Sequence, residues 1–208
     1  MEKKYKLTEE TLEIDGIILH RIMALKDFYG VKKGDLGGFV EKESNLAHDY
    51  NCWIYNDAVV RGNAMVYGDA KVYGDAKVYD DAKVYGNAEV YGDATVYCDA
   101  TVCGNAKVYG EATVCSNAKV CGEAMVYGEA EVCGNAKVEK KSDYIVFKNW
   151  WSSGRYFTWT RSNDMWTVGC FYGTGEELIK KAYKDSEEKG REYERIVRYV
   201  ESIKSEIK

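Results

Sequence analysis

An unbroken six-residue repeat is the feature that most constrains this chain. Fourteen alanines stand six residues apart from Ala58 to Ala136, and a valine lies two places after each of them, from Val60 to Val138. Most repeats read Gly-Asp-Ala-Lys-Val-Tyr or a close variant. A six-residue step would scatter the alanines and valines around an α-helix, because a helical face recurs about every 3.6 residues. The repeat therefore excludes a helix over this region.

The same repeat satisfies the requirements of a short strand followed by a corner. Ala-x-Val alternates between the two sides of a strand, and Gly-Asp or Gly-Asn accepts the positive φ angles of a tight corner. A three-residue strand cannot bury its inner side alone, so successive coils must stack and hydrogen-bond to one another. The sequence predicts a parallel β-solenoid.

The spacing within the repeat resembles a known family. An aliphatic residue is followed four places later by a small one, as in Val60 with Ala64 and Val66 with Ala70. This pattern resembles the hexapeptide-repeat left-handed parallel β-helix family. The resemblance implies three repeats per triangular coil and a left-handed turn, against the right-handed rule for parallel crossovers. It also implies side-by-side trimers, which are common in the family.

The chain divides into three parts on this interpretation. Residues 1–37 are an N-terminal β cap with a hairpin turn at Asp15-Gly16, residues 38–138 are five to six coils, and residues 139–208 are a small α+β module. Counting back in sixes puts Val40, Leu46 and Cys52 in alanine slots and His48 in an inward valine slot. The cap followed by coils resembles phage- and prophage-encoded chains labelled hexapeptide transferases or polymer-forming proteins.

The sequence of the C-terminal module predicts strands followed by helices. We expect strands at 144–147, 157–160 and 166–171, the last two forming a hairpin. Thr174 with Glu177 forms a capping box that opens a helix, which Gly190 should end, and a second helix should start at Arg191.

Three repeats per coil sort the residue after each valine onto three faces, and one face carries tyrosine alone. Aromatic residues with few rotatable bonds suit interfaces, although stacking along the ladder would also account for them. We predict a homotrimer contact on this face, formed by Tyr55, Tyr73, Tyr91, Tyr109 and Tyr127.

The C-terminal module holds more aromatic side chains than a small sheet can bury on one side. Some of them, with nearby arginines, could form a pocket for a nucleotide, glycan or peptide. The alternative, which we favour, is a core with a docking surface for the solenoid end or for a neighbouring subunit. The candidate ligand or partner residues are Arg155, Tyr156, Trp159, Arg161 and Trp166.

The seven cysteines do not have metal-ligand spacing, so we expect no metal site and no cofactor. Cys103 with Cys121, and Cys115 with Cys133, would lie one coil apart, within reach of a disulfide. Because the compartment is expected to be reducing, we favour simple substitution of tyrosine slots by a small residue.

Transfer chemistry has little support in the sequence. Many hexapeptide-repeat proteins are acyltransferases with a histidine base and a loop that interrupts the repeat. The strict phase from Ala58 to Val138 leaves no room for a loop, and both histidines, His20 and His48, come earlier. His20 and His48 are weak catalytic candidates, and we lean against an enzyme.

Charge and hydropathy limit the partners and the cellular location that we expect for this chain. Residues 1–138 hold 15 basic and 22 acidic groups, net −7, whereas residues 139–208 hold 14 and 12, net +2. Neither part resembles a nucleic-acid-binding patch. No apolar run spans a membrane and no secretion leader is evident, so we expect a cytoplasmic protein, in the host cell if phage-encoded.

Three functions remain, in order of preference. The first is a noncatalytic oligomeric scaffold whose C-terminal aromatic module recognises a ligand or partner. The second is a phage counter-defence factor that sequesters a small nucleotide-like signal or inhibits a host protein. The third is a divergent acyltransferase.

Overall fold

The computed structural model describes residues 2–207 and has a mainly β fold. A hairpin is followed by a parallel β-solenoid of about six coils, then by an antiparallel sheet and two helices. This confirms the predicted solenoid with its N-terminal β cap and C-terminal α+β module.

The solenoid has three parallel sheets, one on each face of a triangular prism. The first face contains β3 (Leu36–Val40), β5 (Val59–Val60), β8 (Lys77–Val78), β11 (Thr95–Val96), β14 (Thr113–Val114) and β17 (Glu131–Val132). The second contains β4 (Trp53–Ile54), β7 (Lys71–Val72), β10 (Glu89–Val90), β13 (Lys107–Val108) and β16 (Met125–Val126). The third contains β6 (Met65–Val66), β9 (Lys83–Val84), β12 (Thr101–Val102), β15 (Lys119–Val120) and β18 (Lys137–Val138).

The repeat alanines and valines fill the interior, as predicted. Every alanine from Ala58 to Ala136 is fully buried, and the valines from Val60 to Val138 are at most 1% exposed. The corners need a positive φ, which favours glycine: Gly92 has a φ of 70°, and a Cβ there would lie 3.1 Å from the backbone nitrogen of Gly110 in the next coil. Two constraints therefore maintain the repeat: the size of the side chains that fill the interior and the backbone conformation of the corners.

The first coil is longer than the repeat and corrects the predicted register. Val40 pairs with Val60 and Leu46 bridges to Val66, each 20 residues on, whereas Ile54 pairs with Val72, 18 residues on. Val40 and Leu46 therefore occupy valine slots rather than alanine slots. Two extra residues enter between Leu46 and Cys52, so His48 lies in a bend and not in an inward slot.

The N-terminal hairpin covers the open end of the solenoid. β1 (Tyr5–Ile14) and β2 (Ile17–Ala24) join through Asp15 and Gly16, which both have positive φ, as the predicted turn requires. β2 then pairs with β3. The fully buried Tyr5 donates its hydroxyl to the carbonyls of Glu43 (2.6 Å) and Leu46 (2.9 Å). A short 3-10 turn at Glu43–Asn45 supplies one of these acceptors.

The C-terminal sheet has four antiparallel strands. After a 3-10 turn at Lys141–Asp143 come β19 (Tyr144–Lys148), β20 (Tyr156–Thr160), β21 (Met165–Val168) and β22 (Phe171–Gly173). The predicted strand at 166–171 is wrong in one respect: a turn at Gly169 and Cys170 divides it into two strands.

The two faces of this sheet have different partners. Phe157, Trp159, Trp166 and Val168 form a core with the helices, whereas Tyr144 and Val146 pack against the solenoid core. The sheet therefore caps the C-terminal end of the solenoid, as the favoured interpretation of the aromatic residues proposed.

The helices meet at Ser186. α1 (Gly175–Asp185) starts at the predicted Thr174–Glu177 capping box, and α2 (Glu187–Ile203) is capped by the Ser186 side chain. The prediction that Gly190 ends the first helix is wrong, because Gly190 lies within α2. A Cβ at Gly190 would lie 2.3 Å from the ring of Tyr183. The glycine allows the two helices to approach closely.

Candidate binding surfaces and cavities

Stacked tyrosines run along the second face of the solenoid. Ring centroids are 4.7 Å apart for Tyr73 and Tyr91, 4.9 Å for Tyr91 and Tyr109, and 5.3 Å for Tyr109 and Tyr127, with planes within 12° of parallel. We call these four residues the tyrosine ladder. Tyr55, which was predicted with them, instead packs half-buried against the solenoid core, and burial raises its pKa. In-register parallel strands repeat each side chain once per coil, which explains the stacking.

The other two faces carry shorter stacks. Tyr67 stacks on Tyr85 at 4.8 Å and Tyr79 on Tyr97 at 5.1 Å, after which cysteine takes the same slot. The ladder on the second face is therefore the longest continuous aromatic surface of the solenoid, which is why it remains the candidate contact surface.

The cysteines that follow these stacks form disulfides, which corrects the favoured interpretation of simple substitution. Cys103 is bonded to Cys121 and Cys115 to Cys133, with Cα atoms 4.6 and 4.7 Å apart. Equivalent slots in neighbouring coils lie within the Cα separation that a disulfide accepts. Cys52, Cys98 and Cys170 are free thiols.

A cavity opens where the tyrosine ladder meets the C-terminal sheet. It has a volume of about 570 Å³, and we call it the tyrosine cavity. Three tyrosines from separate segments line it, together with Val146, three acidic corner residues and Lys141. The tyrosines are Tyr127, Tyr144 and Tyr156, and the acidic residues are Asp93, Glu111 and Glu129.

Hydrogen bonds hold the walls of the tyrosine cavity. The Tyr144 hydroxyl donates to the Met125 carbonyl at 3.0 Å, and burial raises the Tyr144 pKa to about 12. A hydrogen bond to the Glu129 carboxylate raises the pKa of Tyr156. The Lys148 ammonium lies 3.8 Å from the centroid of the Tyr156 ring, so this ring already contacts a cation.

The five C-terminal candidate residues do not share one surface. Trp159 and Trp166 are each 2% exposed within the helix-packed core, and the indole nitrogen of Trp159 donates to Asp164 at 2.7 Å. Tyr156 lines the tyrosine cavity, whereas Arg155 and Arg161 are exposed elsewhere. Tyr156 and Trp159 lie on opposite sides of one strand, because side chains alternate along a strand, and the sequence does not indicate which side the helices cover.

Arg155 lines a second, polar cavity of about 510 Å³, the Arg155 cavity. Its other lining residues are Trp151, Ser152, Ser153, Ser186, Glu188 and Lys189. The buried Asn149 shapes the loop, because its side chain accepts from the Ser152 backbone N–H at 3.1 Å and its backbone N–H donates to the Arg155 carbonyl at 3.0 Å. Trp151, which was not among the candidates, is 67% exposed and could stack on a ring.

Both histidines lie at the N-terminal end of the structure, His20 in the cap and His48 in the first coil against the cap. His48 stacks on Tyr5 at 4.5 Å, accepts the Lys4 backbone N–H at Nδ1 (3.2 Å), and contacts Glu43 through Nε2 (3.2 Å). His20 Nδ1 lies 3.3 Å from the Thr8 carbonyl. Neither histidine lines the tyrosine cavity or the Arg155 cavity. Their contacts are those of residues that hold the cap in place.

Within residues 2–207, no group of three or more His, Cys, Asp or Glu side chains is arranged to hold a metal ion. None of the helices described is long and apolar enough to cross a membrane.

Part of the chain is similar to a curated protein. No family model matches the chain. The uncharacterized acetyltransferase YdcK of Escherichia coli (strain K12) is 37% identical over a stretch that covers 29% of this chain and 23% of that protein. The match therefore spans less than a quarter of the relative's length. Together, this similarity and the β-solenoid fit a protein of the hexapeptide-repeat β-helix type.

Proposed function

We propose that the chain is a noncatalytic oligomeric scaffold that binds a ligand or partner through its C-terminal module. The tyrosine ladder is the contact surface of a homotrimer, and the C-terminal sheet and helices carry recognition. The observation that carries this proposal is the ladder itself, four stacked rings on one face with no equal on the other two. Rigid, half-buried aromatic rings contribute large contact area at low entropic cost.

The placement of the histidines supports a noncatalytic role. A general base must reach the proton that it removes, in a site that also holds substrate. His48 instead packs on Tyr5 and hydrogen-bonds to Lys4 within the cap. The solenoid strands repeat without interruption from Val59 to Val138, as expected for a support rather than for an active-site loop.

Light scattering of purified protein tests the homotrimer. We expect three times the 23.6 kDa chain mass for the wild type, and a monomer for Tyr91→Ser combined with Tyr109→Ser. The matched control is Tyr67→Ser combined with Tyr85→Ser, which removes a stacked pair from another face and should leave the trimer intact. A monomeric wild type, or a ladder variant that stays trimeric, would contradict the proposal.

The Arg155 cavity favours a second candidate function, sequestration of a small nucleotide-like signal, as in a phage counter-defence factor. Arginine, lysine and three serine hydroxyls are suited to phosphate, and an exposed indole is suited to a base. Mass spectrometry of protein purified from its native host tests this function. A nucleotide should copurify with the wild type and be lost with Arg155→Ala, whereas Arg161→Ala should retain it.

A divergent acyltransferase is the competing enzyme function, and the similarity to a protein named as an acetyltransferase favours it. An assay with acetyl-coenzyme A and a panel of amine and hydroxyl acceptors distinguishes it from the scaffold. Turnover that disappears in His20→Ala or His48→Ala would replace our first proposal.

A further inference from the structure

We propose that the tyrosine cavity binds a linear aliphatic polyamine, with its ammonium groups against Asp93, Glu111 and Glu129 and its methylene chain against Tyr127, Tyr144 and Tyr156. The inference rests on the proposed binding role of the protein, but it does not require the trimer.

The aromatic lining is suited to an alkylammonium ligand. Electron-rich ring faces attract cations within about 6 Å of the ring centroid, and the attraction grows when water is excluded. Tyr127 comes from the last coils, whereas Tyr144 and Tyr156 come from the sheet that caps them. The hydroxyl of Tyr144 is held by the Met125 carbonyl, so its ring is positioned before any ligand arrives. The cavity therefore presents preorganised aromatic walls.

The charge of the cavity complements a ligand with several positive groups. Asp93, Glu111 and Glu129 occupy the same corner of three successive coils, 18 residues apart. Neighbouring coils lie about 4.8 Å apart, so the carboxylates form a row along the cavity. Lys141 lines the cavity and Lys148 lies over the Tyr156 ring, so two ammonium groups partly offset the three carboxylates. A row of separated carboxylates matches a chain of ammonium groups better than it matches a single compact cation.

The acidic row is more than turn chemistry. Asn and Asp serve a tight corner equally well, and the other two edges of the solenoid mix them. There the amides bridge successive coils, as in Asn87 to Asn105 (2.9 Å) and Asn105 to Glu123 (2.6 Å). The edge beside the ladder carries an acid at each of its five corners, namely Asp57, Asp75, Asp93, Glu111 and Glu129. Stacked like charges cost folding free energy, and a bound polycation would offset that cost.

Isothermal titration calorimetry with spermidine tests the proposal on the full chain. We expect one spermidine per chain, and at least about tenfold weaker binding for Glu111→Gln and for Glu129→Gln, since each removes a charge-assisted hydrogen bond. Tyr156→Ala, which lies outside the tyrosine ladder, should weaken binding about fivefold through loss of an aromatic contact with the ligand chain. Glu123→Gln is the matched control, because it neutralises the same corner slot on another edge, and should bind as the wild type does.

Several outcomes would overturn the inference. Absence of spermidine binding by a wild type that light scattering finds trimeric would refute the ligand while leaving the scaffold proposal intact. If Glu123→Gln weakened spermidine binding as much as the cavity variants do, the binding would reflect general charge attraction and not this cavity. Full displacement of spermidine by Mg²⁺ at matched ionic strength would lead to the same conclusion. Tighter binding of choline than of spermidine would refute a linear polyamine. Thermal melts of each variant separate loss of binding from loss of fold.

Discussion

Glu131 combines a titratable side chain with partial burial at the junction between the solenoid and the C-terminal sheet. Its backbone N–H donates to the Thr158 hydroxyl at 3.0 Å, and its side chain is half-buried. Burial raises the pKa of the Glu131 carboxyl, and the nearby Glu129 raises it further. Ionisation of Glu131 is therefore less favourable in the folded than in the unfolded protein, so the ionised carboxylate lowers the free energy of unfolding near neutral pH.

We expect Glu131→Gln to be more stable than the wild type at pH 7. Because the folded pKa lies above the unfolded value, the advantage should shrink as the pH falls through the raised pKa and vanish once Glu131 is protonated in both states. Urea denaturation from pH 7 down to pH 4 measures it. Glu123→Gln, at an exposed corner, should stay within about 0.5 kcal/mol of the wild type throughout. A gain that is independent of pH would show that charge is not the cause.

At the level of single elements, two disulfides join neighbouring coils near the C-terminal end of the solenoid. Each closes a loop with a sequence separation of 18 residues. A cross-link over a loop of this size stabilises a fold by up to about 3 kcal/mol, chiefly by restricting the unfolded chain. The coils from Cys103 to Cys133 should therefore resist unfolding more than stacking of the repeats alone would allow.

We expect Cys103→Ser with Cys121→Ser to lower the free energy of unfolding by up to about 3 kcal/mol under oxidising conditions. The same change should have little effect in the presence of a reductant, because the wild type then lacks the bridge as well. Cys170→Ser, which alters an exposed free thiol, is the control. Alkylation of the native protein followed by mass spectrometry should label Cys170 and spare the four bridged residues; labelling of all of them would contradict the pairing.

The elements also show where sequence reasoning succeeds and where it stops. The strict period placed every alanine and valine from Ala58 to Val138 correctly, because one phase applies to all the coils. It failed in the first coil, where two residues enter after Leu46 and no repeat marks them. The prediction for Gly190 also failed. This residue does not end a helix; it is a glycine because a Cβ there would clash with the ring of Tyr183 on the other helix.

The tyrosine cavity was beyond sequence reasoning for a similar reason. The ladder could be predicted from the period, since Tyr127 repeats the slot of Tyr109. Tyr144 and Tyr156 join it only because the C-terminal sheet turns one face toward the solenoid and the other toward the helices. Which segment packs on each face of the sheet depends on contacts between residues far apart in the sequence. Neither the six-residue period nor secondary-structure propensity predicts such contacts.

At the scale of the whole molecule, the C-terminal sheet closes the end of the solenoid as the hairpin closes its beginning. The last coil of a solenoid has backbone donors without a following coil. Here the N–H of Glu131 donates to the Thr158 hydroxyl, and the N–H of Lys137 donates to the Ser162 hydroxyl at 2.6 Å. A Cβ at Gly134 would overlap the Tyr172 side chain, so this corner also fits closely against the sheet. The sheet thus takes the place of a further coil.

This capping role predicts a specific cost for Thr158→Val. The substitution keeps the shape of the buried side chain but removes the hydroxyl, and it leaves the Glu131 N–H without its acceptor; a buried donor that loses its partner costs about 1–3 kcal/mol. Thr113→Val is the matched control, because the Thr113 backbone N–H donates to the Ala130 carbonyl at 2.8 Å and keeps that bond. Urea denaturation should find Thr158→Val less stable by this amount and Thr113→Val almost unchanged.

Hydrogen exchange should be faster at Glu131 in Thr158→Val, because the end of the solenoid would open before the coils within it. Equal stability and exchange in the two variants would mean that the sheet rests on the solenoid without capping it.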